Sequence, residues 1–255
     1  MEDKPVIQEQ TYPTEVIDLP SGGVLYPEGS PLRSGQIELK YMTAKEEDIL
    51  TSSNLIQKGV VLDKLMDSLI VTKGVKSADL LVGDLNAVMV ASRILGYGKD
   101  YEVTLPCPLC GNQIEQTVDL TQLGTKNEPT ENVEDFSIVL PVSKAQVVLK
   151  LLTRGDELRI EEENKKLKKT LGAVGASTAR LRAIIESVDG DSSAGKIWSF
   201  VENMLVRDAR FLREHYRTLT PDVDFEIEID CDCSDTPNMG RLPIGTRFFW
   251  PDARV

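Results

Sequence analysis

Histidine is nearly absent from this chain: one imidazole, His215, stands among 255 residues. Within Arg213-Glu-His-Tyr-Arg217, near a helix end, it reads as a charge favoured by the carboxyl-end dipole rather than as a base or ligand. Long apolar runs are absent too. None approaches the roughly 20 residues that span a bilayer, and the acidic, polar opening from Met1 to Gln10 is unlike a signal peptide, so a soluble chain made in the cytoplasm is expected. Positive charge is scarce: 29 Lys and Arg face 41 Asp and Glu, for a net charge of -12. That balance works against phosphate-backbone contacts. Lys165, Lys166, Lys168 and Lys169 follow Glu161 to Glu163, the pattern of a solvated helix face. No phosphate-binding Gly-Lys-Ser/Thr loop and no nucleophile elbow occurs. The acids Glu46, Glu47 and Asp48 lie in charged helix turns, so an enzyme is not expected.

What is present is four cysteines in two tight pairs, Cys107-Pro-Leu-Cys110-Gly111 and Cys231-Asp-Cys233. Each ends an alternating run, Tyr101, Val103, Leu105 for the first and Phe225, Ile227, Ile229 for the second, so each sits where a strand turns. The first pair has knuckle spacing, and its glycine permits a tight turn. The second has one intervening residue and no glycine. Joined, Cys107, Cys110, Cys231 and Cys233 would form a closed tetrahedral Zn(2+) site, structural rather than catalytic. A site without metal, packed thiols, or disulfides are the alternatives, the last disfavoured in a cytosolic chain.

A repeat surrounds the cysteines. Gln36-Ile-Glu-Leu-Lys-Tyr-Met-Thr-Ala-Lys-Glu46 aligns with Gln146-Val-Val-Leu-Lys-Leu-Leu-Thr-Arg-Gly-Asp156, each preceded by a Leu-Pro lead at Leu19-Pro20 or Leu140-Pro141. In both, a strand ends at a threonine (Thr43, Thr153) suited to capping a helix whose third residue is acidic. These signals predict two copies of an arm, strand, helices, strand, knuckle unit, spanning roughly 13–123 and 134–251. Helices are expected from Lys45 to Lys58, over Val60–Ile70, over Leu85–Leu95, from Asp156 to Thr170 and from Thr178 to Val188. A further amphipathic helix runs through Ile197, Val201, Leu205, Ala209 and Leu212.

The expected fold is α+β: two related strand-helices-strand units joined by a zinc-ribbon-like four-cysteine site, with extended terminal arms. The boundaries are 1–34 for an N-terminal arm rich in Pro and Gly, 35–123 for the first unit, 124–135 for a polar linker, 136–241 for the helix-rich second unit and 242–255 for an aromatic tail. Leu25, Tyr26 and Leu32 on the arm, and Phe248, Phe249 and Trp250 on the tail, either fold back onto the chain or anchor it in a neighbouring subunit.

Three stretches carry a family likeness: Leu19-Pro-Ser-Gly-Gly-Val-Leu-Tyr-Pro27, Tyr41-Met-Thr-Ala-Lys-Glu-Glu-Asp-Ile-Leu50, and Ile94-Leu-Gly-Tyr-Gly-Lys-Asp-Tyr-Glu-Val103 with the Cys107 knuckle beyond. With the terminal Leu242-Pro-Ile-Gly-Thr-Arg-Phe-Phe-Trp-Pro251, they make the chain resemble the baseplate hub subunit or hub assembly protein family of T-even-type contractile-tailed bacteriophages. That resemblance implies a non-enzymatic component of the virion's tail baseplate. It would contact other hub, wedge or tail-tube proteins in a symmetric, multicopy assembly, without membrane or nucleic acid as partner. The rival readings are a zinc-ribbon nucleic-acid-binding or transcription-associated regulator, and a thiol redox protein.

Overall fold

Ile37 and Leu39 alternate with polar neighbours, so one face of their strand turns inward and is fully buried. The computed structural model, which describes residues 12–171, 176–234 and 236–249, pairs this strand, β2 (Gln36–Lys40), antiparallel with β1 (Thr14–Asp18). Four helices follow: α1 (Ala44–Thr51), α2 (Ser53–Lys58), α3 (Val61–Leu69) and α4 (Val82–Tyr97). The single helix expected over Lys45–Lys58 is broken at Ser52, which is extended (ψ 102) inside the run Thr51-Ser52-Ser53. These side chains compete for backbone hydrogen bonds and weaken a helix interior. Gly59 stops α2 at a φ of 72, a conformation that favours glycine.

A hairpin of β3 (Asp100–Pro106) and β4 (Gln113–Asp119) comes next, then the short β5 (Thr125–Lys126). The second unit opens with β6 (Ser137–Val139) and β7 (Gln146–Leu149), continues through α5 (Arg154–Leu171) and α6 (Ala176–Ile184), and returns as β8 (Ile185–Val188). The helix expected to reach Val188 thus ends at Ile184. Ile185 and Val188 are buried as a strand beside β7, where β-branched residues pack well. Two helices, α7 (Ala194–Glu202) and α8 (Val206–Leu219), replace the one expected, because Leu205 is extended (ψ 141) and half-exposed between them. The chain closes with β9 (Asp222–Val223), paired to β5, the hairpin β10 (Glu226–Ile229) and β11 (Asn238–Arg241), and a helical turn at Thr246–Phe249. Small antiparallel sheets beside helices make the fold α+β.

Two cores form, and the chain crosses between them. Residues of 138–219 make the second, around Leu140, Val147, Leu149, Leu152, Leu181 and Val188. The first gathers Leu39, Leu65, Leu69, Leu80 and Val88 with Leu19, Tyr26 and Leu32 from the expected arm, and with Phe225, Leu242, Phe248 and Phe249 from the far end. The arm from residue 12 onward and the tail through Phe249 are therefore built into the first core. Burying each such side chain contributes about 1.5–3 kcal/mol, which an exposed arm would forgo. Arg93, 2% exposed, ties the end in place: Nε donates to Phe248 C=O at 3.0 Å and a terminal nitrogen to Gly98 C=O at 3.0 Å, and the guanidinium lies against Tyr97 and Tyr101.

Glu46, fully buried at the start of α1, accepts from Lys40 Nζ (2.8 Å), Ser68 Oγ (2.7 Å), Thr43 N–H (2.9 Å) and Thr43 Oγ1 (2.6 Å). Burial pushes its carboxyl up, but these donors together outweigh it and bring the pKa from 4.5 down to about 2. A depressed carboxyl stabilises the fold above its unfolded value and loses that contribution as pH falls through the folded one. The urea midpoint of the wild-type chain is therefore expected to drop between pH 4.5 and about 2 more steeply than that of Glu46→Gln. Parallel profiles would show that Glu46 is not a source of the acid response.

Candidate metal centre and its repeated frame

Tyr101 and Leu105 root β3 in the protein interior, and Phe225 and Ile229 root β10, so the loop of each hairpin stands at the tip of a fixed ribbon. In the first loop Cys107 N–H donates to Asn112 C=O at 2.8 Å and Gly111 N–H to Cys107 C=O at 2.9 Å. Gly111 turns the chain at a φ of 77, so the glycine meets a backbone demand although nothing crowds it. In the second, Ser234 N–H donates to Cys231 C=O at 3.2 Å. Gln116 Nε2 reaches from β4 to Glu228 C=O at 3.0 Å, which holds the two ribbons side by side.

That placement brings all four thiols together. Their sulfurs lie within 4.8 Å of one another, with Cys107 Sγ 3.5 Å from Cys233 Sγ and Cys110 Sγ 3.6 Å from Cys231 Sγ. These separations are far beyond a disulfide bond of about 2.05 Å, and all four cysteines are free. They fit a tetrahedron: with metal–sulfur bonds of about 2.3 Å, thiolates stand about 3.8 Å apart. The Cys-Asp-Cys spacing contributes both of its sulfurs despite its shorter bite. Among the described residues this is the group of His, Cys, Asp and Glu side chains able to share an ion. Cys107 is buried, and the other three reach solvent.

The thiols are also electrically linked. Backbone N–H groups of Cys110 and Leu109, aided by the neighbouring thiols and opposed by burial, lower Cys107 to about 6. Cys233 is pushed up, foremost by Cys231 and then by Cys107 and Cys110. Crowded thiols cannot all ionise without a cation, and a divalent ion relieves that conflict.

Two buried aspartates hold the frame behind the ribbons. Asp84, in the first turn of α4, accepts from Ser21 N–H (2.9 Å), Ser21 Oγ (2.7 Å) and Tyr26 OH (2.6 Å). Asp208, in the first turn of α8, accepts from Val142 N–H (2.8 Å) and Ser143 N–H (2.9 Å). In each unit a carboxylate at the same helical position clasps the loop after the Leu-Pro lead. Burial raises the Asp84 carboxyl, and its donors only partly offset it. For Asp208 burial pushes the carboxyl up, but the Ser143 and Val142 N–H groups, with the Ser143 side chain and Arg207, together outweigh it, and the carboxyl is lowered.

These aspartates carry a sequence signal of their own, outside the Gln36/Gln146 repeat. Leu81-Val-Gly-Asp84 matches Leu205-Val-Arg-Asp208, and Asp100-Tyr-Glu-Val103 matches Asp224-Phe-Glu-Ile227. One offset relates Asp84 to Asp208, Tyr101 to Phe225 and Cys107 to Cys231. The threonine caps recur as well: Thr153 N–H donates to Asp156 at 3.1 Å as Thr43 N–H does to Glu46.

The profile of the T4 bacteriophage base plate protein family matches residues 12–250, both units and both cysteine pairs included. The chain belongs to that family. Comparison with curated proteins and with solved structures gave no significant match. It is accordingly a structural protein of a phage baseplate, a component of the virion tail that meets other baseplate proteins. Among its described residues no helix is long and apolar enough to cross a membrane.

The other candidate positions on this baseplate protein fall differently. Tyr26, Leu32, Phe248 and Phe249 are buried in the chain's own first core and Leu25 is partly buried against it, so folding back is what the structure shows for all five. Trp250 lies outside the described residues. His215 sits within α8 rather than at its end, bonded through Nε2 to Asp135 C=O at 2.9 Å and stacked on Phe211.

Proposed function

We propose that this baseplate protein is a hub subunit or hub assembly factor, docking to hub, wedge or tail-tube proteins with its two ribbon tips fixed by a structural zinc ion. The family match along nearly the whole described chain carries the baseplate part of this reading. The convergence of four thiols supports the metal. Cys107, Cys110, Cys231 and Cys233 would hold the ion, which supplies a cross-link between ribbons distant in sequence and leaves no open position for substrate. The protein's own residues do the rest: hydrogen bonds at the two loops present the sulfurs, and Asp84 and Asp208 fix the helices that precede each ribbon.

Crosslinking mass spectrometry on purified virions tests the assignment. Crosslinks from this chain to hub or tail-tube proteins are expected, with wedge proteins as further neighbours. Links confined to wedge and sheath, or to nucleic-acid machinery in infected cells, would remove the hub reading.

One feature favours the nucleic-acid rival. A cleft of about 650 Å³ between the cores is lined by Lys126, Arg180, Arg213, Arg217 and Arg241, with Asp222 opposing them. This is a local pocket on a chain of net charge -12, too small for the extended track that phosphate recognition uses. A gel-shift series across salt is expected to show no retained DNA or RNA. Retention that weakens steeply with salt would restore the rival.

A further inference from the structure

Units that share a frame also share an edge. In the first unit the residues entering α4 receive the second unit: Leu80 C=O accepts from Arg154 N–H at 2.8 Å, and Val82 N–H donates to Leu152 C=O at 3.1 Å. Leu81 is buried there, and Val82 packs onto the second core. The equivalent edge of the second unit is Met204-Leu205-Val206, with the same apolar Leu-Val pair. Its backbone matches too: Leu81 has φ -58 and ψ 149, Leu205 φ -66 and ψ 141. Yet Leu205 is 50% exposed and Val206 80%. Among the described residues Met204 C=O and Val206 N–H find no partner, and the first N–H of a helix has none inside it.

The piece that fits such an edge is repeated as well. What docks on the first edge is Leu152-Thr153-Arg154, the turn from β7 into α5. Its counterpart is Met42-Thr43-Ala44, the turn from β2 into α1, built on the same threonine cap. Met42 C=O and Ala44 N–H occupy the places of the groups that bond Val82 and Leu80, and among the described residues they too find no partner.

We infer that the Met204–Val206 edge of one copy receives the Met42–Ala44 turn of a second copy, as the Leu80–Val82 edge receives Leu152–Arg154 within the chain. The two surfaces differ, so the contact is head-to-tail and propagates around a ring or along a filament. One substitution makes it weaker than its internal precedent: Arg154, which grips Asp63 at 2.7 and 3.0 Å, is replaced by Ala44. The inference rests on the repeat and not on the hub assignment.

A benzophenone amino acid in place of Val206, in the full-length chain, tests it. Irradiation is expected to give covalent dimers whose joined peptide contains Met42–Ala44, reduced several-fold by Ala44→Glu. Sedimentation is expected to show a wild-type mass that rises with concentration and a Val206→Asp chain that stays monomeric. That aspartate is exposed and suits the amino end of a helix, so the fold is retained, as unchanged circular dichroism would confirm. Crosslinks from position 206 to itself or to another part of the chain, or a wild type monomeric at every concentration, would overturn the contact. Virions in which no two copies touch would overturn it too, and leave the hub reading standing.

Discussion

Replacing Cys107 with serine is expected to take bound zinc from about one ion per chain to nearly none and to lower Tm by roughly 10 °C or more. Cys107 is the one buried thiol of the four, and Asn238 Nδ2 points at its sulfur from β11 at 3.7 Å. Its loss removes both a ligand and the inward anchor of the first loop. A chelator should lower the Tm of the wild type toward that of Cys107→Ser and leave the variant almost unmoved, because the variant has no ion to lose. Metal analysis of protein purified without added metal, with calorimetry before and after chelation, decides the matter. A wild type that carries no ion and ignores the chelator would end the zinc assignment. The tips would then be held by Gln116 and the packing beneath them alone.

Arg93→Ala is expected to cost about 3–5 kcal/mol, from the cavity it leaves and from the buried carbonyls it strips of donors. The side chain is a buried cation held by backbone carbonyls at Phe248, Gly98 and Asp100 and by the faces of two tyrosines. Among the described residues no carboxylate pairs with it. Arg93→Lys should recover little, since one ammonium cannot span Phe248 C=O and Gly98 C=O while lying flat on a ring. Hydrogen exchange gives the local readout: protection near Thr246–Phe249 should fall further than protection in the second core. Wild-type urea stability in Arg93→Ala would mean that Phe248 and Phe249, both fully buried, hold the end without help.

Local chemistry was legible in the sequence; long-range packing was not. The Thr-x-x-acid caps, the glycine at position 59 and the cysteine pairs each depend on neighbours within a few residues, and each forms as read. The split between α7 and α8 was hidden because Ile197, Val201, Leu205, Ala209 and Leu212 keep a helical period straight through the break at Asn203–Leu205. The strand over Ile185–Val188 was hidden because a short apolar run serves helix and strand alike, and only pairing with β7 decides it. Tyr26, Phe248 and Phe249 could be read either as core residues or as anchors for a neighbour. Their destination was fixed by Arg93 and Asp84, residues 155 and 58 positions away along the chain, a relation that no local pattern encodes.

The interleaving of the cores has a consequence for the order in which the molecule is made. The buried residues of the second core all lie within 138–219, with Val82 packed against them from the first unit. The first needs Leu19 at one end and Phe249 at the other. A ribosome therefore releases everything the second core requires while the first still lacks Phe225, Leu242, Phe248 and Phe249. The core that draws on residues made before the second is the later one to close, and the two cysteine pairs cannot meet until Cys231 and Cys233 have followed. A chain that stops short of Leu242, Phe248 and Phe249 is therefore expected to leave the apolar interior of the first core open.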